Sequence, residues 1–232
     1  DQLFSDGHYE EAITVMQHFL DDHLHNPYAK MLAQINIASC YYCLGKIEIA
    51  YEHVLIYKQL CTQHGNKQDH YNLCHISALI YEYEQHYDKA VAAIQECIQI
   101  ASTLNLQLEL AESYNLFSHI QNVLGHYEEA TKYATLAQEI IYSINSENLY
   151  LICQIHCNLA SSYIHSGRYA EAQNILQILS TNPFIQSNSK ERSRYLYFQG
   201  FLQMKVQHFD LAISLLNETL QNKWSFESEM KI

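Results

Sequence analysis

Six short segments of this chain repeat one another at a nearly fixed interval, and that repetition restricts the fold more than any other feature. They read GHYEEA at Gly7, GKIEIA at Gly45, QHYDKA at Gln85, GHYEEA at Gly125, GRYAEA at Gly167 and QHFDLA at Gln207, at intervals of 38, 40, 40, 42 and 40 residues. The sixth position is always alanine: Ala12, Ala50, Ala90, Ala130, Ala172 and Ala212. The third is aromatic or large and apolar: Tyr9, Ile47, Tyr87, Tyr127, Tyr169 and Phe209. A period of this size marks a supersecondary unit repeated in a row, each copy burying its apolar face against its neighbours. Such an array needs no single core that grows with chain length, so 232 residues are ample.

The repeating unit is a pair of helices. Only two prolines and six glycines interrupt a chain rich in Ala, Leu, Gln and Glu, which favours an all-α fold. Seven residues before each turn stands a small residue (Ala38, Ala78, Ser118, Ala160, Gly200), where two helices can approach closely. Four residues before it stand Tyr41, Tyr81 and Tyr163, with Gln121 and Gln203 breaking the series. After the turn, apolar residues follow at helical spacing, as in Ala130, Ala134 and Ala137, or Ala212, Leu215, Leu216 and Leu220.

A small residue, then tyrosine, glycine, tyrosine and alanine in this order resembles the tetratricopeptide repeat signature, over essentially the whole chain. The usual early tryptophan is replaced by Gln34, Cys74, Tyr114, His156 and Leu196, and the terminal proline is absent. The period exceeds the usual 34 by about six residues. That is roughly one and a half helical turns, so longer helices rather than longer loops are expected. HEAT-like repeats share the period, but the Gly-aromatic turn and the recurring alanine argue against them. A period near 40 is similar to that of kinesin light chains and of the peptide-pheromone receptors of Gram-positive bacteria, Rap and NprR among them. The resemblance implies an all-α, right-handed superhelical solenoid of antiparallel helix pairs. Residues 1–28 form a partial unit, followed by units at about 29–66, 67–106, 107–146, 147–188 and 189–224, with 225–232 starting a further helix. The chain reads as one array and a fragment of a longer protein, and the junction Thr181–Lys190 reads as a loop and flex point.

With 13 Lys and Arg against 25 Asp and Glu, the net charge of −12 opposes nucleic acid and anionic lipid. No run approaches the roughly 18 apolar residues of a membrane span. Seven cysteines, Cys40, Cys43, Cys61, Cys74, Cys97, Cys153 and Cys157, are an odd number scattered through helices. They read as reduced core residues of a cytoplasmic protein. The CxxC of Cys40 and Cys43 lacks the strand-to-helix setting of a redox motif. The histidines at 18, 23 and 25, or at 119 and 126, find no Cys or carboxylate to complete a four-ligand metal set. No phosphate loop or nucleophile constellation appears, so neither catalysis nor a cofactor is expected.

In the fold that the resemblance implies, the first helix of each pair lines a concave groove. The groove stripe then lies 13, 10, 9, 6 and 2 residues before each turn. Its candidate peptide-binding residues are Asn36, Asn72, His75, Asn115, His119, Asn158, His165, Arg194, Tyr197 and Phe201. A carboxamide offers donor and acceptor together and matches one peptide unit of an extended ligand. The same asparagines could equally hydrogen-bond one repeat to the next, and both readings stand at this point. Tyr197, Phe198 and Phe201 form either a pocket for a ligand side chain, with Arg194 and Lys205 beside it for a carboxylate, or a cover over the core.

The expected function is a scaffold that receives a peptide or protein segment in its groove, as the sensing or interaction region of an intracellular bacterial regulatory protein. A static adaptor and the regulatory part of a Rap-like phosphatase are the alternatives, and self-association is left open.

Overall fold

The computed structural model describes residue 3, residues 7–23 and residues 25–221, the side chain of Gln221 excepted. The expected further helix at 225–232 lies outside the described residues. Among the described residues there are twelve helices and no strand. They are α1 Tyr9–Asp22, α2 Pro27–Cys43, α3 Ile47–His64, α4 Lys67–Tyr83, α5 Tyr87–Leu104, α6 Gln107–Val123, α7 Tyr127–Ser143, α8 Leu149–His165, α9 Tyr169–Ser180, α10 Pro183–Ser187, α11 Ser189–Lys205 and α12 Phe209–Gln221. They pack as successive antiparallel pairs, α2 with α3, α4 with α5, α6 with α7, α8 with α9 and α11 with α12. The helices α2 to α8 are 17 or 18 residues long, so the long period is indeed taken up in helix.

The turns follow from local chemistry. At Gly7, Gly45, Gly125 and Gly167 the backbone is left-handed, with φ between 70° and 81°, which glycine adopts freely. Gln85 and Gln207 take the same conformation at φ 62° and 67° and carry the strain of a Cβ there. Each turn closes by a Schellman-type bond: Lys46 N–H donates to Tyr41 O at 2.9 Å, His126 N–H to Gln121 O at 2.8 Å and Arg168 N–H to Tyr163 O at 2.8 Å. The residue four before the turn thus supplies the closing carbonyl whatever its side chain. The first helices α2, α4, α8 and α11 start behind asparagine caps, Asn26, Asn66, Asn148 and Asn188, whose side chains accept from backbone N–H groups of the first turn.

Inside each pair the small residues meet as their spacing predicts. Ala38, Ala78, Ser118 and Ala160 are fully buried, as are Ala50, Ala90, Ala130 and Ala172. Ser118 Oγ donates to Ala130 O at 2.7 Å, joining α6 directly to α7. A Cβ on Gly200 would lie 2.8 Å from Leu216 Cγ, so the contact of α11 with α12 requires glycine.

The helices fall into two compact units, residues 1–104 and 105–232. In the first, Ala38, Ile47, Val54, Ile76 and Ile80 form the core joining the α2–α3 pair to α4. In the second, Ala134, Ile141, Leu151, Ile155 and Leu159 join α7 to α8, and Cys157, Ile164, Leu176, Leu179 and Leu202 join α8, α9 and α11.

One junction departs from its reading as a loop. Within Thr181–Lys190, residues Pro183–Ser187 form α10, capped by Asn182, which accepts from Phe184 N–H at 2.9 Å. Ile185 is buried in the core between α8 and α11. The reason is length: α9 stops after 12 residues, and α10 fills the space that a longer second helix occupies elsewhere. Cys43 also departs from the core reading, being exposed at the end of α2. Among the described residues no helix is long and apolar enough to cross a membrane.

Candidate functional site

The candidate groove residues divide between the two units. In the first unit Asn36 on α2 donates to Leu32 O of its own helix at 2.7 Å, which engages one of its two N–H groups. Asn72 on α4 lies near Tyr57 of α3, whose hydroxyl donates to Asp69 O at 3.1 Å. His75 stacks on Tyr71 of its own helix at 5.8 Å between ring centroids, and burial pushes its pKa down to about 4. These three side chains are half-buried.

In the second unit the first helices are α6, α8 and α11, and α8 packs against both others. Between α6 and α8 lies a polar seam. Asn158 Nδ2 donates to Asn115 Oδ1 at 2.8 Å and to Asn115 O at 3.1 Å. Asn115 Nδ2 donates to Gln154 Oε1 at 3.3 Å, and Gln154 Nε2 in turn donates to the Tyr150 hydroxyl. Asn122, one residue off the expected stripe, donates to Asn158 O at 3.0 Å, while its buried Oδ1 has no hydrogen-bond partner among the described residues. Asn115 and Asn158 therefore make the inter-repeat bond that was one of their two readings. His119 lies half-buried on the same face. Glu112, on the stripe one turn before Asn115, is raised to about 7 by burial and secondarily by Glu109.

Between α8 and α11 the face changes character. His165 is exposed at the end of α8, with its ring stacked on Tyr127 at 4.8 Å and 10° and leaning on Phe201 at 5.1 Å. Phe201 continues the row to Tyr197 at 6.1 Å and 7°, and Tyr197 meets Phe198 edge-on at 5.4 Å. The Lys205 ammonium sits over the Phe201 ring, 5.1 Å from its centre. Burial, and then the Lys205 charge, lower the pKa of His165, while burial raises that of Tyr197. Arg194 is placed otherwise than as a free partner for a ligand carboxylate: it pairs at 3.2 Å with Glu191, which is 2% exposed. Glu191 also accepts from the Cys153 thiol at 3.5 Å, so the Arg194 charge is held by the core. Tyr127, part of the row, was legible only as the aromatic third residue of the turn motif.

Among the described residues no group of three His, Cys, Asp or Glu side chains could hold a metal ion. Beside the row, Gly125, His126, Tyr127, Glu128, Glu129 and Ser166 line a shallow hollow open to solvent. The arrangement offers stacking surfaces and hydrogen-bond partners to a bound segment.

A family described as the SusR N-terminal TPR domain matches residues 51–230. The chain belongs to this family. The SusR-type TPR fold is shared by two solved structures. BtubC (BKLC) from P. vanneervenii superposes with a TM-score of 0.69 at 15% identity, covering 93% of this chain and 91% of that one. The apo form of RapI superposes with a TM-score of 0.70 at 11% identity, covering 96% and 94% respectively. At these identities the likeness is one of fold. No curated protein matches the chain. This SusR-type TPR domain is thus an all-α, protein-binding helical repeat scaffold.

Proposed function

We propose that this SusR-type TPR domain is the partner-sensing region of an intracellular regulatory protein, and that it receives a peptide segment on the face formed by α6, α8 and α11 with the start of α7. The observation that carries the reading is the row of Tyr127 at the start of α7, His165 on α8 and Phe201 and Tyr197 on α11, with the Lys205 ammonium over the Phe201 ring. Such a row gives a ligand side chain a flat apolar bed at low entropic cost, because the rings already support one another. The polar seam continues the same face, where Asn158 Oδ1 receives no donor from the described residues and can accept from a ligand amide. His119 and Gln154 flank it. That the matching family is an N-terminal domain of SusR supports a chain whose occupancy is passed to another part of its protein.

Panning a random-heptapeptide phage library on the purified chain, followed by calorimetry of the most enriched peptide, tests the reading. Phe201→Ala should weaken that peptide at least tenfold. Failure to enrich any sequence, or equal affinity for wild type and variant, removes this face as the site.

A further inference from the structure

The repeat register sets His165 and Lys205 at the same place in successive units, each two residues before its turn, at Gly167 and Gln207. Their helices α8 and α11 pack against each other, so the two side chains come to the same end of the face. They meet at Phe201: the His165 ring centre and the Lys205 ammonium each stand 5.1 Å from the centre of that ring. In the earlier units this position holds Cys43, Tyr83 and Val123, and only Lys205 brings a permanent charge to it.

Lys205 differs from the arginines of its own helix. Arg192 pairs with Glu218 at 2.9 Å and Arg194 with the buried Glu191 at 3.2 Å. Lys205 is exposed, and among the described residues no carboxylate pairs with it. A ring face attracts the ammonium and fixes where it sits, yet supplies no oxygen to its three N–H donors. His165 touches Tyr127 and Phe201 through its ring, and no hydrogen bond to it forms among the described residues. On the Tyr127 side, Glu128 and Glu129 line the hollow and form no ion pair with Lys205. The row is therefore flanked by carboxylates at one end and by an ammonium without its counter-charge at the other.

We propose that the Lys205 end of the row is a subsite for a carboxylate of the bound peptide, carried next to the apolar side chain that lies on the rings; this rests on the reading of the face as a peptide site. The carboxylate accepts from the Lys205 ammonium and from the His165 ring N–H, as charge-assisted bonds. The ammonium is already held over Phe201, so it loses little freedom on pairing. Glu128 and Glu129 repel the same group, which fixes the direction in which the peptide lies. Asn158 and His165 are seven residues apart on α8, a rise of about 10.5 Å, which an extended peptide covers in about three residues. The acid thus stands about three residues from the one whose amide donates to Asn158.

An Asp or Glu side chain and a chain terminus share this chemistry, and two forms of the heptapeptide library separate them. It is panned with the peptide C-terminus fused and with it free, on wild type and on Lys205→Met, which keeps the stem on Phe201 without the charge. On wild type, an Asp or Glu should recur beside an apolar residue in the fused form; enrichment confined to the free form assigns the carboxylate to the chain end. The most enriched peptide and its analogue with that carboxyl converted to the amide are then titrated. Lys205→Met should weaken the acid about fivefold, the upper range of an exposed charge pair, and the amide less than about twofold. Enrichment without an acid, or equal weakening of acid and amide, overturns the subsite, and the face remains the peptide site where Phe201→Ala still weakens the peptide. No enrichment in either form, or a peptide that Phe201→Ala leaves unchanged, overturns both.

Discussion

Between α6 and α8, Asn158 and Asn115 hold each other at 2.8 Å, and their neighbours Gln154 and Asn122 are drawn into the same seam. Between α8 and α11, on the same face, His165 lies exposed among Tyr127, Phe201 and Lys205. Both stretches are built from residues that bind peptides well. The difference is whether the groups are satisfied within the protein. A carboxamide whose hydrogen bonds run to the next helix stabilises the stack, and using it for a ligand first requires breaking those bonds. A ring row that ends in solvent has an open surface to offer.

The largest expected effect sits behind the seam, where burial pushes His156 down to about 4. It lies on α8 with Nε2 at 3.1 Å from the Tyr142 hydroxyl and 3.0 Å from Gln138 Nε2 on α7. The unfolded chain binds this proton near pH 6.5 and the folded chain only near 4, so the stabilisation is complete above 6.5 and is lost as pH falls toward 4. A shift of this size corresponds to about 3 kcal/mol. His75 titrates in the same direction, and Glu112, raised to about 7, in the opposite one, losing stability as pH rises. Urea unfolding of wild type and His156→Phe at pH 7 and pH 4.5 isolates the His156 part. The wild type should lose more stability on acidification by a large share of that amount, and parallel losses would place His156 outside the packed interior.

Asn158→Ala sharpens the comparison next. It leaves Asn115 Oδ1 and O without their donor, at a cost of about 1–3 kcal/mol in unfolding free energy. An unchanged urea midpoint would mean that the seam contributes no stability and is free for a ligand.

His165→Ala should do the reverse. As an exposed side chain it should change stability by less than about 1 kcal/mol, while weakening the selected peptide about tenfold through the lost stacking contact. A large fall in melting temperature with unchanged affinity would make the row structural as well, and the contrast between the two stretches would collapse.

The smallest effect belongs to the turn after the helix that carries the row. Gln207→Gly relieves a left-handed residue costing roughly 1–2 kcal/mol and adds roughly 0.5–1 kcal/mol of unfolded-chain freedom. The expected net gain of about 0.5 kcal/mol is readable as a shift in urea midpoint, with peptide affinity unaltered.

Much of this was legible beforehand. The alanine register placed Ala50, Ala90, Ala130 and Ala172 at buried helix contacts, where they are found. The six turns lie where the Gly or Gln marks them, with left-handed backbone at each. A signal in plain view went unread: asparagine at 26, 66, 148 and 188 starts four first helices as their caps, at the same repeat interval as the turns. The short helix α10 was hidden because Asn182–Pro183 reads as a break, although the same pair is a cap followed by a proline at the first helical position.

Sequence alone determined the all-α class, the helix pairs, their register and the location of the turns, because these depend on spacing and on residue-level steric preferences that every repeat restates. Tertiary structure alone decided which polar residues are occupied. Asn115 and Asn158 are distant in sequence yet bonded, Arg194 is neutralised by a buried Glu191, and the Cys97 thiol reaches the Tyr71 carbonyl of α4. Periodicity tells which face of a helix a side chain occupies, but a hydrogen bond or a thiol contact requires distances between helices of a few ångströms, and only the packed stack sets those.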